Sequence, residues 1–323
     1  MPTQQRGQWV IEAGLDECFV RVFPEAWFLR FVPLQRCQAR LGVVFTSERR
    51  AMSQSILDTI LAHKTVEVAR QRQKVSDATI AQRAVDGPAV RSFAAALRRH
   101  THPTLIAEVK HASPSRGVLI EPFHPLEIAA TYTAGGASAI SVLTDQRFFQ
   151  GSLKYLEGIR QQDAVAPDGH HPPLLRKDFI VDPYQIYEAR AYGADAVLLI
   201  VAALSDAQLR EYYDLTYQLG MDALVEVHDD AELTRALDLG FTIIGVNNRN
   251  LHTFTVSLQA TAHVAAQLPA GGQHILVSES GIFTHADVAQ VGQLGAQAVL
   301  VGEALITAPD MLTKTKELSG HGA

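Results

Sequence analysis

The 323-residue chain has only two cysteines, Cys18 and Cys37. Two thiols cannot build a disulfide framework, and they fall short of the thiolate set of a structural zinc site. A reducing compartment, the cytoplasm, is therefore the expected location. The longest apolar runs stay far below the ~20 residues of a membrane span, and the start lacks the basic flank, apolar run and small-residue cleavage site of a secretory signal. A formal charge of -6 without any basic tract gives no reason to expect nucleic acid as a partner. Lysine is also scarce, with seven lysines among 28 basic residues. Where arginine supplies most of the solvated positive charge, a lysine closing an apolar strand stands out. Lys110 and Lys177 are both of that kind.

What is present is soluble and globular in makeup, 47% hydrophobic and 19% charged, with length enough for one large core or two modest ones. Residues 1–51 form an atypical extension that mixes aromatics, valines and arginines without sustained periodicity. Met52 reads as the functional start, with the preceding residues a misassigned upstream segment; a real accessory segment is the alternative. From Met52, Ser53 or Ser55 caps an amphipathic helix whose apolar face includes Ile56, Leu57, Ile60, Leu61 and Val66. A second short helix, "AVRSFAAALRR", places Phe93, Ala96 and Leu97 on one side, so that helices occupy 52–101.

Eight apolar runs follow, at 104–109, 139–143, 174–176, 196–201, 223–227, 242–246, 275–278 and 298–301. Most lack strict alternation and are rich in Val, Ile and Leu, as parallel strands covered on both faces are. Five are entered through a glycine corner, as in "YGADAVLLI" and "LGAQAVLV". Eight βα units at this spacing predict a closed (β/α)8 barrel, the TIM barrel, over 52–323 with an N-terminal helical extension. A doubly wound sheet would carry a GxGxxG loop after its first strand, and the sequence has none there.

Such barrels do their chemistry at the carboxyl ends of the strands. Polar groups at those ends include Glu108, Lys110, Asp145, Lys177, Asp178, Glu226, His228, Asn247, Arg249, Glu279, Ser280, Gly281, Gly302 and Glu303. "SESGI" after the seventh strand and "VGEALI" after the eighth suit a phosphate held by main-chain amides around Gly281, Gly302 and Glu303, with Ser280 assisting. The Glu303 side chain should then turn away from the dianion. Arg249 and Asn247 suit a carboxylate, and lysines beside glutamates suit proton transfer. No cluster dictates a metal site, and His228, two residues after Glu226, has no third ligand at a fixed spacing. The residues describe a cofactor-free barrel enzyme acting on a phosphorylated, doubly anionic small molecule.

Several segments resemble the indole-3-glycerol phosphate synthase family in order and length, from about Ser55 to Leu318. They include "IAEVKHASPSRG", "SVLTDQRFFQGSLKYL", "LLRKDFIVDPYQIYEARAYGADAVLLI", "ALVEVHDDAEL", "IGVNNRNL", "SESGI" and "VGEALI". The resemblance implies cyclisation of 1-(2-carboxyphenylamino)-1-deoxyribulose 5-phosphate with loss of carbon dioxide and water. It implies that Lys177 is the general acid at the C2′ carbonyl and that Lys110 pairs with the anthranilate carboxylate. Glu226 would serve the loss of water, and Glu108 and Glu279 would orient the lysines and the substrate hydroxyls. Asn247, Ser113 and Arg249 would line the carboxylate side, while Leu143, Phe148 and Phe149 would flank the aromatic ring. No cofactor, no membrane association and no obligatory protein partner are expected, and the protein is expected to be a monomer or weak homo-oligomer.

The chain departs from the family pattern at three places. His111 stands where a basic residue usually follows the first lysine, and Ala304 where serine is common. The segment "QQDAVAPDGHHPP" is longer than needed, but it lies at the amino end of the third strand, away from the mouth. Another phosphate-binding barrel isomerase, a Schiff-base aldolase and a non-catalytic scaffold are the competing readings. An isomerase relative would use a cysteine, and the barrel region contains none.

Overall fold

A computed structural model describes residues 55–99, 103–249, 255–269, 271 and 273–321, together with the backbone of strands 10–13 and 18–21. The chain divides into two units, Met1–Ser53 and Gln54–Ala323. In the first, Val10–Ala13 pairs antiparallel with Cys18–Arg21. The expectation about Met52 falls outside the described residues.

In the second unit the eight apolar runs are eight strands: β1 Thr104–Val109, β2 Ala139–Leu143, β3 Leu174–Lys177, β4 Ala196–Ile200, β5 Asp222–Val227, β6 Ile243–Asn247, β7 Ile275–Glu279 and β8 Ala298–Val301. Neighbours in sequence are neighbours in space, every pairing is parallel, and β8 closes onto β1. Each run is buried on both faces, which is why alternation was weak. Gly136, Gly193, Gly220, Gly240 and Gly295, at the five corners, all have positive φ, between 79° and 102°. Among the described residues, no helix is long and apolar enough to cross a membrane.

Among the described residues, three helices precede β1: α1 Ile56–Lys74, α2 Asp77–Val85 and α3 Phe93–Leu97. The Ser55 hydroxyl accepts from the Asp58 N–H while Asp58 reaches back to the Ser55 N–H, a capping box that fixes where α1 begins. The inward face of α1 differs from expectation: Ile60, Lys64 and Val68 are buried, whereas Val66 is 46% exposed. Phe93 and Leu97 of α3 are fully buried against Ile106, Leu175, Leu224 and other inward side chains, closing the barrel floor. Asp195 and Asp222 fix α3 there by accepting the N–H groups of Arg91 at 2.7 Å and Ala94 at 2.9 Å. The 163–173 loop joins this floor through ion pairs of Arg91 with Asp163 and of Arg99 with Asp168, at the end opposite the mouth.

The remaining helices form the outer layer: α4 Pro125–Ala134, α5 Gln146–Phe149, α6 Leu153–Gln162, α7 Pro183–Ala191, α8 Asp206–Gln218, α9 Asp230–Asp238, α10 Gln259–Ala265, α11 His285–Gln293, α12 Glu303–Ile306 and α13 Met311–Ser319. The larger core lies between this layer and the outward side chains of the strands.

Candidate active site

Alternation along β1 brings Glu108 and Lys110 to one side. Leu105, Ala107 and Val109 pack in the outer layer and Ile106 in the inner one, so the even positions face the barrel axis. His111 therefore faces outward, where its ring stacks on Phe123 at 4.5 Å. The same parity carries Lys177 of β3, Glu226 of β5, Asn247 of β6 and Glu279 of β7 to the mouth. A cavity of about 220 Å³ is lined there by Glu108, Lys110, Ser113, Phe149, Lys177, Glu226, Asn247, Arg249, Glu279, Ser280, Gly281, Gly302 and Glu303. Of the residues expected from sequence, Phe148, Asp145 and His228 are outside that lining.

The charged groups interlock. Lys177 Nζ lies 3.3 Å from Glu226 Oε2 and 3.4 Å from Glu279 Oε2, and Lys110 Nζ lies 2.5 Å from Glu108 Oε2. Glu226 is held further by Asn247 Nδ2 at 3.3 Å and His228 Nε2 at 3.1 Å. The other His228 nitrogen faces Glu232 Oε2 at 3.1 Å. Burial opposes a charge on His228, but the two glutamates outweigh it and raise its pKa to about 10. Burial likewise disfavours the ionised form of Glu226, yet Lys177, His228 and Asn247 hold its carboxyl well below the usual range. For Lys177, Glu226, Glu279 and Glu108 overcome desolvation and keep the ammonium charged.

Glu279 behaves in the opposite sense. Burial pushes its carboxyl up, and Lys177 only partly offsets the added repulsion of Glu226 and Glu108. Its Oε1 is buried without a hydrogen-bond partner and lies against Gly245, where a Cβ would come within 2.2 Å. Three carboxylates thus meet two lysines, and Glu279, which has an unpaired oxygen, is the one whose carboxyl burial and its acidic neighbours push up.

One end of the cavity is polar and glycine-rich. Ser280 and Gly281 have φ of 67° and 79°, a left-handed pair that turns the chain back over the mouth. Gly302 has φ of -122°, so its reason is space: a Cβ would stand 2.2 Å from Glu108 Oε2 and 3.0 Å from Lys110 Nζ. Lys110 therefore leans toward the glycine corner. Glu303 turns aside as expected, to Arg116 Nη1 at 3.2 Å. The Ser280 hydroxyl donates to Asn247 Oδ1 at 3.0 Å, which leaves its main chain for an anion.

The other end is apolar. Leu143, Phe149 and Phe179 line it, with the last two rings 5.9 Å apart, and α1 adds Ile56, Leu57 and Ile60. Phe148 does not join them; its ring stands edge-on to His63 at 5.7 Å, a correction that follows from the single turn of α5 separating the two side chains. Sequence reasoning missed Phe179, Arg116, the α1 wall and the grip of His228 on Glu226. For His228 a signal existed, since it shares the parity of Glu226. Among the described residues, no group of three or more His, Cys, Asp or Glu is arranged to hold a metal ion.

A closed parallel barrel with paired lysines and glutamates converging over its carboxyl mouth is the architecture of a (β/α)8 acid–base enzyme. The sequence pattern of the indole-3-glycerol phosphate synthase family matches residues 57–318. The indole-3-glycerol phosphate synthase of Roseiflexus sp. (strain RS-1) is 62% identical over 268 residues, covering 82% of this chain and 98% of that protein. That of Roseiflexus castenholzii (strain DSM 13941 / HLO8) is 60% identical over 269 residues, covering 83% and 99%. The chain belongs to the indole-3-glycerol phosphate synthase family. Its fold is shared more widely: a 3-hexulose-6-phosphate synthase structure superposes with a TM-score of 0.53 at 15% identity, over 68% of this chain and all 100% of the other. The Salmonella typhimurium protein of that name gives 0.51 at 15%, over 68% and 98%.

Proposed function

We propose that this chain cyclises 1-(2-carboxyphenylamino)-1-deoxyribulose 5-phosphate to indole-3-glycerol phosphate, releasing carbon dioxide and water, as a carboxy-lyase of tryptophan biosynthesis. The observation that carries this reading is a single cavity with an apolar wall at one end, a glycine corner at the other and two lysine–glutamate pairs between. The substrate has the matching order: aromatic ring with its carboxylate, ketone, phosphate.

The phosphate sits at the Gly281, Gly302 and Glu303 main chain, with Ser280 in the same corner. Ring and carboxylate lie toward Phe149 and the Ser113–Arg249–Asn247 side, and Lys110 stands between the two anionic ends. As the ring carbon attacks the ketone, aromaticity is lost and charge grows on the carbonyl oxygen. Lys177 donates a proton there. Its raised pKa is no obstacle, because a forming alkoxide is more basic than an ammonium. Breaking the carbon–carboxylate bond expels carbon dioxide and restores the ring. The hydroxyl then leaves as water with a proton from a lysine, here assigned to Lys110, and Glu226 takes the proton whose departure forms the pyrrole double bond. Glu226 lies 3.3 Å from Lys177 and returns that proton to it. Two protons are given and one recovered, so each turnover consumes one, as loss of a carboxylate as neutral carbon dioxide requires. Glu108 and Glu279 hold the lysines in register.

All the named groups come from one chain, which supports catalysis without an obligatory partner, whether the protein is a monomer or a weak homo-oligomer in the cytoplasm. We assign catalysis to the 52–323 domain. The test is a fluorescence assay for the indole product, run on the full chain and on a Met52-start protein. No product from either sinks the reading; activity in the full chain alone sinks the domain assignment.

A further inference from the structure

Lys64 takes no part in the chemistry just described, yet it is fully buried on α1. Its ammonium meets Asp145 Oδ2 at 2.8 Å, Asp178 Oδ1 at 2.9 Å and Glu67 Oε1 at 3.2 Å. Removing an ammonium from water without such partners costs several kcal/mol, so the position is built for a cation. The two aspartates are not ordinary surface acids. Asp145 caps α5 by accepting the N–H of Phe148 at 2.7 Å and that of Phe149 at 3.3 Å. Asp178 follows Lys177 directly, accepts the Phe179 N–H at 2.8 Å, and is held on its other oxygen by Thr144 at 2.6 Å and Arg176 at 3.0 Å. Arg176 is anchored in turn by Glu188 at 3.0 Å. One ammonium therefore ties α1 to the turns that present Phe149 and Phe179, while α1 contributes Ile56, Leu57 and Ile60 to the same wall.

We propose that Lys64 is a positioning residue: by clasping Asp145 and Asp178 it holds α1 against the loops after β2 and β3 and so keeps the apolar wall that receives the aromatic end of the substrate. The inference rests on the proposed activity and adds a residue from outside the barrel to its site. Lys177 has its own anchors in Glu226 and Glu279, so the clasp governs binding of the ring more than the proton-transfer step.

The test is Lys64→Met in the full chain, which keeps the length of the side chain and removes the charge. The expected result is a KM for the cyclisation substrate raised at least 10-fold, with kcat within about 3-fold. Competitive inhibition by inorganic phosphate, which probes the glycine corner across the mouth, should be unchanged. An unchanged KM overturns the proposal. So does equal weakening of substrate and phosphate, which marks general loosening. Should this variant not fold, Lys64→Met combined with Asp145→Asn removes one charge of each sign and keeps a capping side chain. The same pattern is expected of it; failure of both proteins to fold also overturns the proposal, because Lys64 would then be a folding determinant. Absence of indole product from the wild type would instead refute the activity itself, which separates the two failures.

Discussion

Replacing Lys177 by methionine keeps the bulk of the side chain and deletes the ammonium. A general acid contributes typically 10²–10⁴-fold, equivalent to about 3–5 kcal/mol of barrier. Lys177 does more than donate, because it faces two carboxylates at 3.3 and 3.4 Å. With an effective dielectric near 20, each such contact is worth about 5 kcal/mol, or more than three pKa units. Left without the cation, a carboxylate of that trio takes up a proton instead of remaining ionised. The variant should therefore fold. What it loses is the donor at the carbonyl, together with the ionised state of the neighbour that removes the later proton. Turnover should fall by about 10³-fold or more, while KM, set largely by the phosphate corner and the apolar wall, changes by no more than about 3-fold. Steady-state indole fluorescence measures both, with a melting curve to confirm folding. A kcat within 10-fold of wild type would refute the acid role.

Lys110→Ala should damage both constants, each by about 10-fold or more, because the proposed mechanism uses Lys110 for both binding and proton donation and Lys110 pairs with Glu108; an unchanged KM in the same assay would remove it from binding. Gly302→Ala drives a methyl to within 2.2 Å of Glu108 Oε2, and overpacking of that kind costs about 1–3 kcal/mol, so kcat/KM should drop about 10- to 100-fold and wild-type kinetics would contradict the crowding. His228→Asn tests linkage. The histidine pKa is raised from 6.5 to about 10 by its two glutamates, so its stabilisation is complete below 6.5 and is lost as pH rises toward 10. Across that window the wild type should lose about 1.4 kcal/mol per pH unit relative to the variant; parallel urea-midpoint curves would disprove the pairing.

The barrel strands were legible because burial on both faces leaves a plain apolar run, and because glycine is the residue that tolerates the left-handed corner before each of five strands. The rim was legible through position: Glu108, Lys110, Lys177, Glu226, Asn247 and Glu279 all stand at or just past the carboxyl end of an apolar run, where a closed barrel opens. Lys64 was not legible. Its partners Asp145 and Asp178 are 81 and 114 residues away in sequence, and a lysine among helical polar residues looks like solvent-facing charge. The same blindness put Val66 on the buried face, since polarity pointed to Val66 where the contacts chose Lys64. Phe148 and Phe149 were indistinguishable by type; only the turn of α5 decides which ring reaches the cavity.

The plug made by Phe93 and Leu97 turns the barrel into a cul-de-sac. In the mechanism proposed above, carbon dioxide and water therefore leave by the mouth through which the substrate enters. A seal at the base thus gives substrate and products one shared doorway, although it touches none of the reacting atoms.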